Sequence, residues 1–281
     1  MTPSCGRIRT PILPGLTPIV ESELTALQFS TLSFVTDTEV SIQTGSREYA
    51  FVLIHGRCEA MIEGQGTYSL GPRPNPFEHP PYALFVTRDS RVVFCAGDRD
   101  VDQPTLIGIG SAPAERQCPN AYITPDQVSG GQRGADNWQR TVRMVCWSDN
   151  TEGNMLLAGE TCTPSGNWST VPPHRHERDI PDVEAPYEEV YFFQFSRPQG
   201  FGLARQFDDD GQLDQAFSLV SGDALYMAGG YHPVGCAPGS TLYHLSLMAG
   251  PQRISRASVH KDYRFLLDEK QIENQYKPSL R

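Results

Sequence analysis

The chain has 281 residues, of which 38% are hydrophobic and 20% charged, with Lys+Arg 23 against Asp+Glu 33 and a formal net charge of -10. That length suits two domains, each with a substantial core, and the acidic balance excludes a protein that tracks nucleic-acid phosphates. No stretch has the unbroken apolar length of a membrane span and the first residues lack the apolar core of a secretory leader, while seven scattered cysteines without a C-x-x-C pair read as reduced thiols, so the expected location is the cytoplasm.

Gly 25 and Pro 23 are spread throughout and cut the chain into short segments rich in Val, Phe, Tyr, Leu and Ile, the pattern of many strands joined by tight turns. In the first half, strands are predicted at 49–55, 58–62, 83–86 and 91–96. Residues 111–134, rich in Pro, Gly, Gln and Ser, separate two strand-rich halves, with the boundary at 127–131. The expected domains are therefore 1–128 and 129–281. Strands follow at 141–147, 155–160, 189–195, 201–206, 224–227 and 241–247. Helical periodicity is nearly absent apart from a short helix near 265–276, and the expected fold class is all-β. Hairpin 56–64 with the apolar run 80–86, and 221–227 before Gly229-Gly230-Tyr231-His232-Pro233, suggest that the halves are distant repeats.

Chemistry concentrates in the second half. His174 and His176 form an H-x-H pair approached by Pro172-Pro173, and on an extended chain alternate side chains point the same way. In Glu189-Val190-Tyr191-Phe192-Phe193-Gln194-Phe195, the residues Glu189, Tyr191, Phe193 and Phe195 share one face. A carboxylate in such an apolar row needs a cationic partner. His232 supplies a third imidazole, so His174, His176, Glu189 and His232 make a candidate divalent-metal shell. Glu188 faces the other way along its strand unless a bulge exchanges it with Glu189. Glu177 and Asp179 read as a solvated loop, and His55, His79, His244 and His260 have no paired partner, although the strand of His244 should pass near the site. Arg205 interrupts a strand and offers a planar donor fork for a carboxylate, with an outward orientation equally compatible. Asp208-Asp209-Asp210-Gly211 reads as a hairpin turn. There is no G-x-S-x-G, no G-x-G-x-x-G after a strand and no P-loop, so no nucleotide cofactor is expected.

An H-x-H, a Glu heading the next strand and a later His after a Gly-rich turn resemble the metal site of the cupin superfamily of jelly-roll barrels. The interval from His176 to Glu189 is longer than the usual cupin spacing. The runs Thr163-Pro164-Ser165-Gly166-Asn167-Trp168-Ser169, Pro172-Pro173-His174-Arg175-His176 and Tyr187-Glu188-Glu189-Val190-Tyr191 resemble the 5-deoxy-glucuronate isomerase family of inositol catabolism. Pro198-Gln199-Gly200-Phe201-Gly202, Gly230-Tyr231-His232-Pro233-Val234 and Met248-Ala249-Gly250-Pro251 extend the likeness. In the first half it rests more loosely on Gly134-Ala135-Asp136-Asn137, at its end, and Pro80-Pro81-Tyr82-Ala83-Leu84.

This resemblance implies a tandem cupin, or bicupin, with metal in the C-terminal barrel only, the N-terminal barrel being degenerate. It implies an aldose–ketose isomerase that converts 5-deoxy-glucuronate to 2-deoxy-5-keto-gluconate, with one divalent ion (Zn, Mn, Fe, Co or Ni) on His174, His176, Glu189 and His232. Glu188, Glu177 or a metal-bound hydroxide are the candidates for the base. Tyr191 and Tyr243 are the candidates to donate to substrate oxygens, and Arg205 to pair with the carboxylate. The expected partner is a small sugar acid, with no nucleic acid and no membrane, and with self-association into a homo-oligomer in view. The same shell would also suit an isomerase of a related deoxy-ketouronate, a cupin dioxygenase or a sugar-acid-binding cupin without catalysis.

Overall fold

Alternation governs the second half. Along Glu188–Phe195 the side chains of Tyr191, Phe193 and Phe195 fill one core and those of Val190 and Phe192 another, as a period of two requires. In a computed structural model that describes residues 4–34, 39–96 and 104–267, this strand lies inside a seven-stranded antiparallel sheet. Its order is Cys5–Arg9, Asp223–Met227, Glu188–Phe195, Leu242–Ala249, Leu156–Thr163, Arg140–Cys146, Ser129–Arg133. Trp168–Ser169, Val234–Cys236, Gly202–Phe207 and Asp214–Leu219 make a smaller second sheet. Between the two sheets Tyr191, Phe193, Phe195 and Leu242 pack with Ala204, Leu219 and Val234.

The first half repeats the plan. Its spine runs Ala121–Ile123, Ala83–Val86, Arg47–Ile62, Thr105–Pro113, Gln28–Phe34, Gly15–Val20. Where the sequence predicts two strands, 49–55 and 58–62, the structure has one of 16 residues, Arg47–Ile62. Its leading part pairs with Thr105–Pro113 and its trailing part with Gly66–Arg73 and Arg91–Ala96, with register slips on either side of Gly56. Gly56 sits at φ 95°, a conformation glycine adopts without a Cβ penalty. A Cβ there would also lie 2.6 Å from the Thr105 Cα. The bend lets one strand serve both walls around Leu32, Phe51, Leu53, Phe94 and Ile107.

The wide sheets of the two halves lie back to back. Val190, Phe192, Leu245 and Leu247 share one buried cluster with Phe29, Val52, Ile54 and Phe85. Approach is close because Gly108 and Gly110 lack side chains: a Cβ would fall 2.3 Å from Leu245 Cδ2 at the first and 2.7 Å from Leu247 Cδ2 at the second. A buried ion pair spans the same interface, Arg73 to Glu160 at 2.8 Å, with both side chains fully covered.

Hydrogen bonds and register expose the repeat. Glu48 accepts the backbone N–H groups of Asn154, Met155 and Leu156, and Glu188 accepts those of Thr25, Ala26 and Leu27. Each half thus caps the entry to a strand of the other. The outer strands carry matching irregularities, between Pro18 and Val20 and between Met144 and Cys146. Edge strands are exchanged: Cys5–Arg9, expected within 1–128, pairs with Asp223–Met227 of the second half. Ala121–Ile123, just before the second half, pairs with Ala83–Val86 of the first. Helix among the described residues is limited to three 3-10 segments. The helix predicted near 265–276 is represented by the end of one of these, Lys261–Leu266, and its remainder lies outside the described residues.

Candidate metal centre

The H-x-H segment is extended, with His174–Arg175 pairing to Ser258–Val259. His174 and His176 line one cleft, whereas Arg175 between them reaches Asp209 at 2.7 Å and lies over the Tyr231 ring. The long interval to Glu189 is a self-contained loop. Glu184 closes it by accepting the N–H groups of Glu177 and Arg178 at 2.9 and 2.8 Å, and the Tyr187 N–H donates to the His176 carbonyl at 2.7 Å. Glu189 therefore arrives beside His176 despite its distance in sequence.

Each histidine is oriented through its backbone. His174 Nδ1 lies 3.0 Å from the Pro172 carbonyl, His176 Nδ1 3.2 Å from that of Tyr187 and His232 Nδ1 2.9 Å from that of Gly230. A carbonyl can only accept, so each Nδ1 carries a proton and Nε2 is the nitrogen left to act as a ligand. Glu189 Oε2 stands 2.9 Å from His176 Nε2 and 3.3 Å from His232 Nε2. Ligand atoms of His176, Glu189 and His232 all lie within 4.8 Å of one another. The His232 contact is off the line of a hydrogen bond, and this buried nitrogen has no hydrogen-bond partner. Acceptors converging in a buried space require a cation among them, and the backbone-anchored imidazole is the arrangement that metal ligands use. The residues therefore fit a divalent metal. The His174 ring stands outside the tight group, its centroid 5.4 Å from that of His232.

Electrostatics agree. Burial alone would raise the Glu189 carboxyl, but the bond from His176 and the charge of the adjacent His176 and His232 imidazoles, where a proton stands in for the ion, hold it well below the carboxylate range. His176 is opposed by burial and is raised overall by its bond to Glu189. Burial and the neighbouring His232 and His176 push His174 down to about 3. Burial, reinforced by the charge of Glu189, drives the Tyr191 hydroxyl well above its ordinary value. Tyr191 thus remains a protonated donor, 3.4 Å from the Thr170 hydroxyl.

Tyr191 lines the metal cleft, and four other residues proposed from sequence do not. Glu188 points to the opposite face, where it accepts the three backbone N–H groups at 25–27. Glu177 accepts the Gly230 N–H at 2.7 Å, so it steadies the turn whose carbonyl orients His232. Arg205 lies on the outer surface, bound to Asp214 at 2.7 Å and stacked over Phe207. Tyr243 faces the other half and donates to Glu160 at 2.7 Å, because along Leu242–Ala249 it is His244, Ser246 and Met248 that face the cleft. Sequence reasoning left His244 aside and missed Arg140, Thr161, Thr170 and Ser246. The alternation of His244, Ser246 and Met248 with Leu245, Leu247 and Ala249 was a usable signal for that face. Ser246 donates to Glu189 Oε1 at 2.5 Å, and His244 is pushed to about 3 by burial, its ring centroid 4.4 Å from that of Tyr191.

Two back-to-back β-barrels, one carrying a His/Glu cluster that could hold a metal, define an all-β cupin. The solved-structure neighbours agree, including the formate complex of oxalate decarboxylase from Lactobacillus farciminis, with a TM-score of 0.64 at 10% identity over 95% of this chain and 90% of that one. A model of the KduI/IolB family matches residues 16–266, and the chain belongs to that family. It is 29% identical to the 5-deoxy-glucuronate isomerase of Bacillus licheniformis, covering 88% of this chain and 90% of that protein. It is 31% identical to the enzyme of the same name from Geobacillus kaustophilus, covering 81% of each. An IolB-like protein of Salmonella typhimurium LT2 superposes with a TM-score of 0.86 at 26% identity, covering 92% of this chain and 98% of that one. No helix among the described residues is long and apolar enough to cross a membrane.

Proposed function

We propose that this chain is a divalent-metal-dependent aldose–ketose isomerase that converts 5-deoxy-glucuronate into 2-deoxy-5-keto-gluconate in inositol catabolism. The observation that carries the reading is the set of three imidazoles anchored through Nδ1 to backbone carbonyls, with Glu189 Oε2 against the Nε2 atoms of two. The relatives named for this activity supply the substrate. His176, Glu189 and His232 would hold the ion and His174 would complete its shell. When bound, the ion would supply Lewis-acid stabilisation of charge on the sugar's carbonyl and neighbouring hydroxyl oxygens.

The surrounding side chains do the rest. Tyr191, kept protonated, offers a donor to a substrate oxygen, and Thr170 orients its hydroxyl. Ser246 holds Glu189 from its second oxygen, which fixes the carboxylate rotamer. The seven free cysteines, five of them buried, support residence in a reducing compartment, the cytoplasm.

The test is anaerobic incubation of metal-loaded protein with 5-deoxy-glucuronate, followed by NMR for loss of the aldehyde-derived signals, beside a His176→Ala control. Conversion that tracks bound metal and vanishes in the control supports the reading. Metal-loaded protein that leaves the sugar unchanged would remove the assigned substrate.

A further inference from the structure

The acidic chain must give an anionic sugar a local welcome, and the overturned assignment of Arg205 leaves the carboxylate without a partner. Two adjoining clefts share Arg140, His174 and Ser246 beside the histidine cluster. Among the described residues their lining holds four arginines, Arg133, Arg140, Arg143 and Arg256, and two carboxylates, Glu160 and Glu189. Both carboxylates are already engaged. Glu160 takes Arg73, Arg143 and the Tyr243 hydroxyl, and Glu189 belongs to the imidazole cluster. Four guanidinium groups therefore border this cleft in a molecule that is negative as a whole.

The four arginines are not equivalent. Arg143 is committed to Glu160 and to the Pro76 carbonyl at 2.8 Å. Arg133 lines only the cleft away from Glu189, and Arg256 only the one that holds His176 and Glu189, where it also reaches Asp182 at 3.4 Å. Arg140 is the one arginine among the described residues that lines both, as His174 also does. It is 7% exposed, its guanidinium packs against the Trp138 ring and donates to the Trp138 carbonyl at 3.4 Å, and its charge is felt by both Tyr191 and His244. In the first half the corresponding position is Pro14, by the register that pairs Leu16 with Leu32 and Val142 with Thr161. The guanidinium thus occurs in the half that carries the metal ligands and not in the other.

We infer that Arg140 receives the carboxylate of the substrate and so sets the preference of the cleft for a sugar acid over a neutral sugar, with the aldehyde end at the histidine cluster. This rests on the isomerase reading for the identity of the sugar acid. A planar fork against a carboxylate gives two parallel charge-assisted hydrogen bonds, which in a largely buried setting correspond to about ten- to hundredfold in affinity.

The test uses the alcohol made by reducing the aldehyde of 5-deoxy-glucuronate, which cannot isomerise, and its uncharged carboxamide, each titrated calorimetrically into metal-loaded protein. Wild type is expected to bind the acid about ten- to hundredfold tighter than the amide. Arg140→Gln should erase that preference while leaving the amide affinity unchanged, and Arg140→Lys should fall between them. Arg140→Met, which keeps an unbranched stem against Trp138, serves if the Gln variant melts too low to load metal. A variant lacking the guanidinium that keeps the acid-over-amide ratio overturns the inference, as does a wild type that shows no preference or binds neither compound. Selective binding of the acid by a protein that fails to convert 5-deoxy-glucuronate would sink the isomerase reading and leave the carboxylate site standing.

Discussion

The two barrels share one plan and differ in what their interiors hold. With Glu48 matched to Glu188 and the strand registers followed outward, Tyr49 occupies the place of Glu189, Phe51 that of Tyr191, Ile107 that of His244, Ile109 that of Ser246 and Leu32 that of Thr161. Phe51, Ile107, Ile109 and Leu32 belong to the apolar core of the first barrel, and Tyr49 stacks on Phe51 with ring centroids 5.6 Å apart. Their counterparts line the metal cleft. The same backbone thus supports either a closed core or a polar cavity, and a few inward side chains decide which. A closed core can be satisfied by dispersion and area alone. The open one needs each buried polar atom to find a partner, which explains the carbonyl anchors on the three histidines.

Glu189→Gln should break the difference most completely. Stoichiometric metal should be lost by elemental analysis and turnover should fall by about a thousandfold, whereas Tyr49→Phe at the matched position should leave both unchanged. Phe51→Ala sharpens the contrast from the other side. A fully buried ring is removed, so denaturant unfolding should report a loss of about 3–5 kcal/mol, with metal affinity as in wild type. Glu177→Gln weakens the hold on the Gly230 turn, and competition with a chelator should show metal affinity about ten- to hundredfold lower.

The smallest effect is in pH. Burial holds His244 and His174 at about 3 in the folded chain against 6.5 for an ordinary imidazole. Between these values the unfolded chain takes up protons that the folded chain does not, so stability falls as the pH drops from 6.5 toward 3. His176, raised by Glu189, acts in the opposite sense: its contribution is full below 6.5 and fades as the pH rises through its folded value. Melting curves of metal-free His244→Phe should show a shallower acid decline than wild type. An unchanged slope would mean that the imidazole is not held neutral by burial.

Much of this was legible in the chain. The all-β class follows from short apolar segments between Gly and Pro turns, and period two placed Glu189, Tyr191, Phe193 and Phe195 together and Glu188 opposite. His176 of the H-x-H pair and the histidine after Gly229-Gly230 marked the remaining members of the tight cluster, with His174 beside it. What failed was the choice of side. Tyr243 and His244 are neighbours on one strand, and alternation says only that they point apart.

Local sequence therefore determined which residues share a face, because that depends on backbone geometry within one strand. Tertiary structure decided what each face meets. Tyr243 turns to a buried Glu160 because the other half packs on its side of the sheet, while Arg205 ends on the outer surface and Arg140 inside. Cys5–Arg9 joins the far half, and Glu188 serves the backbone at residues 25–27. These outcomes depend on pairing across more than a hundred residues and on which sheet is covered, and a single strand carries no record of either.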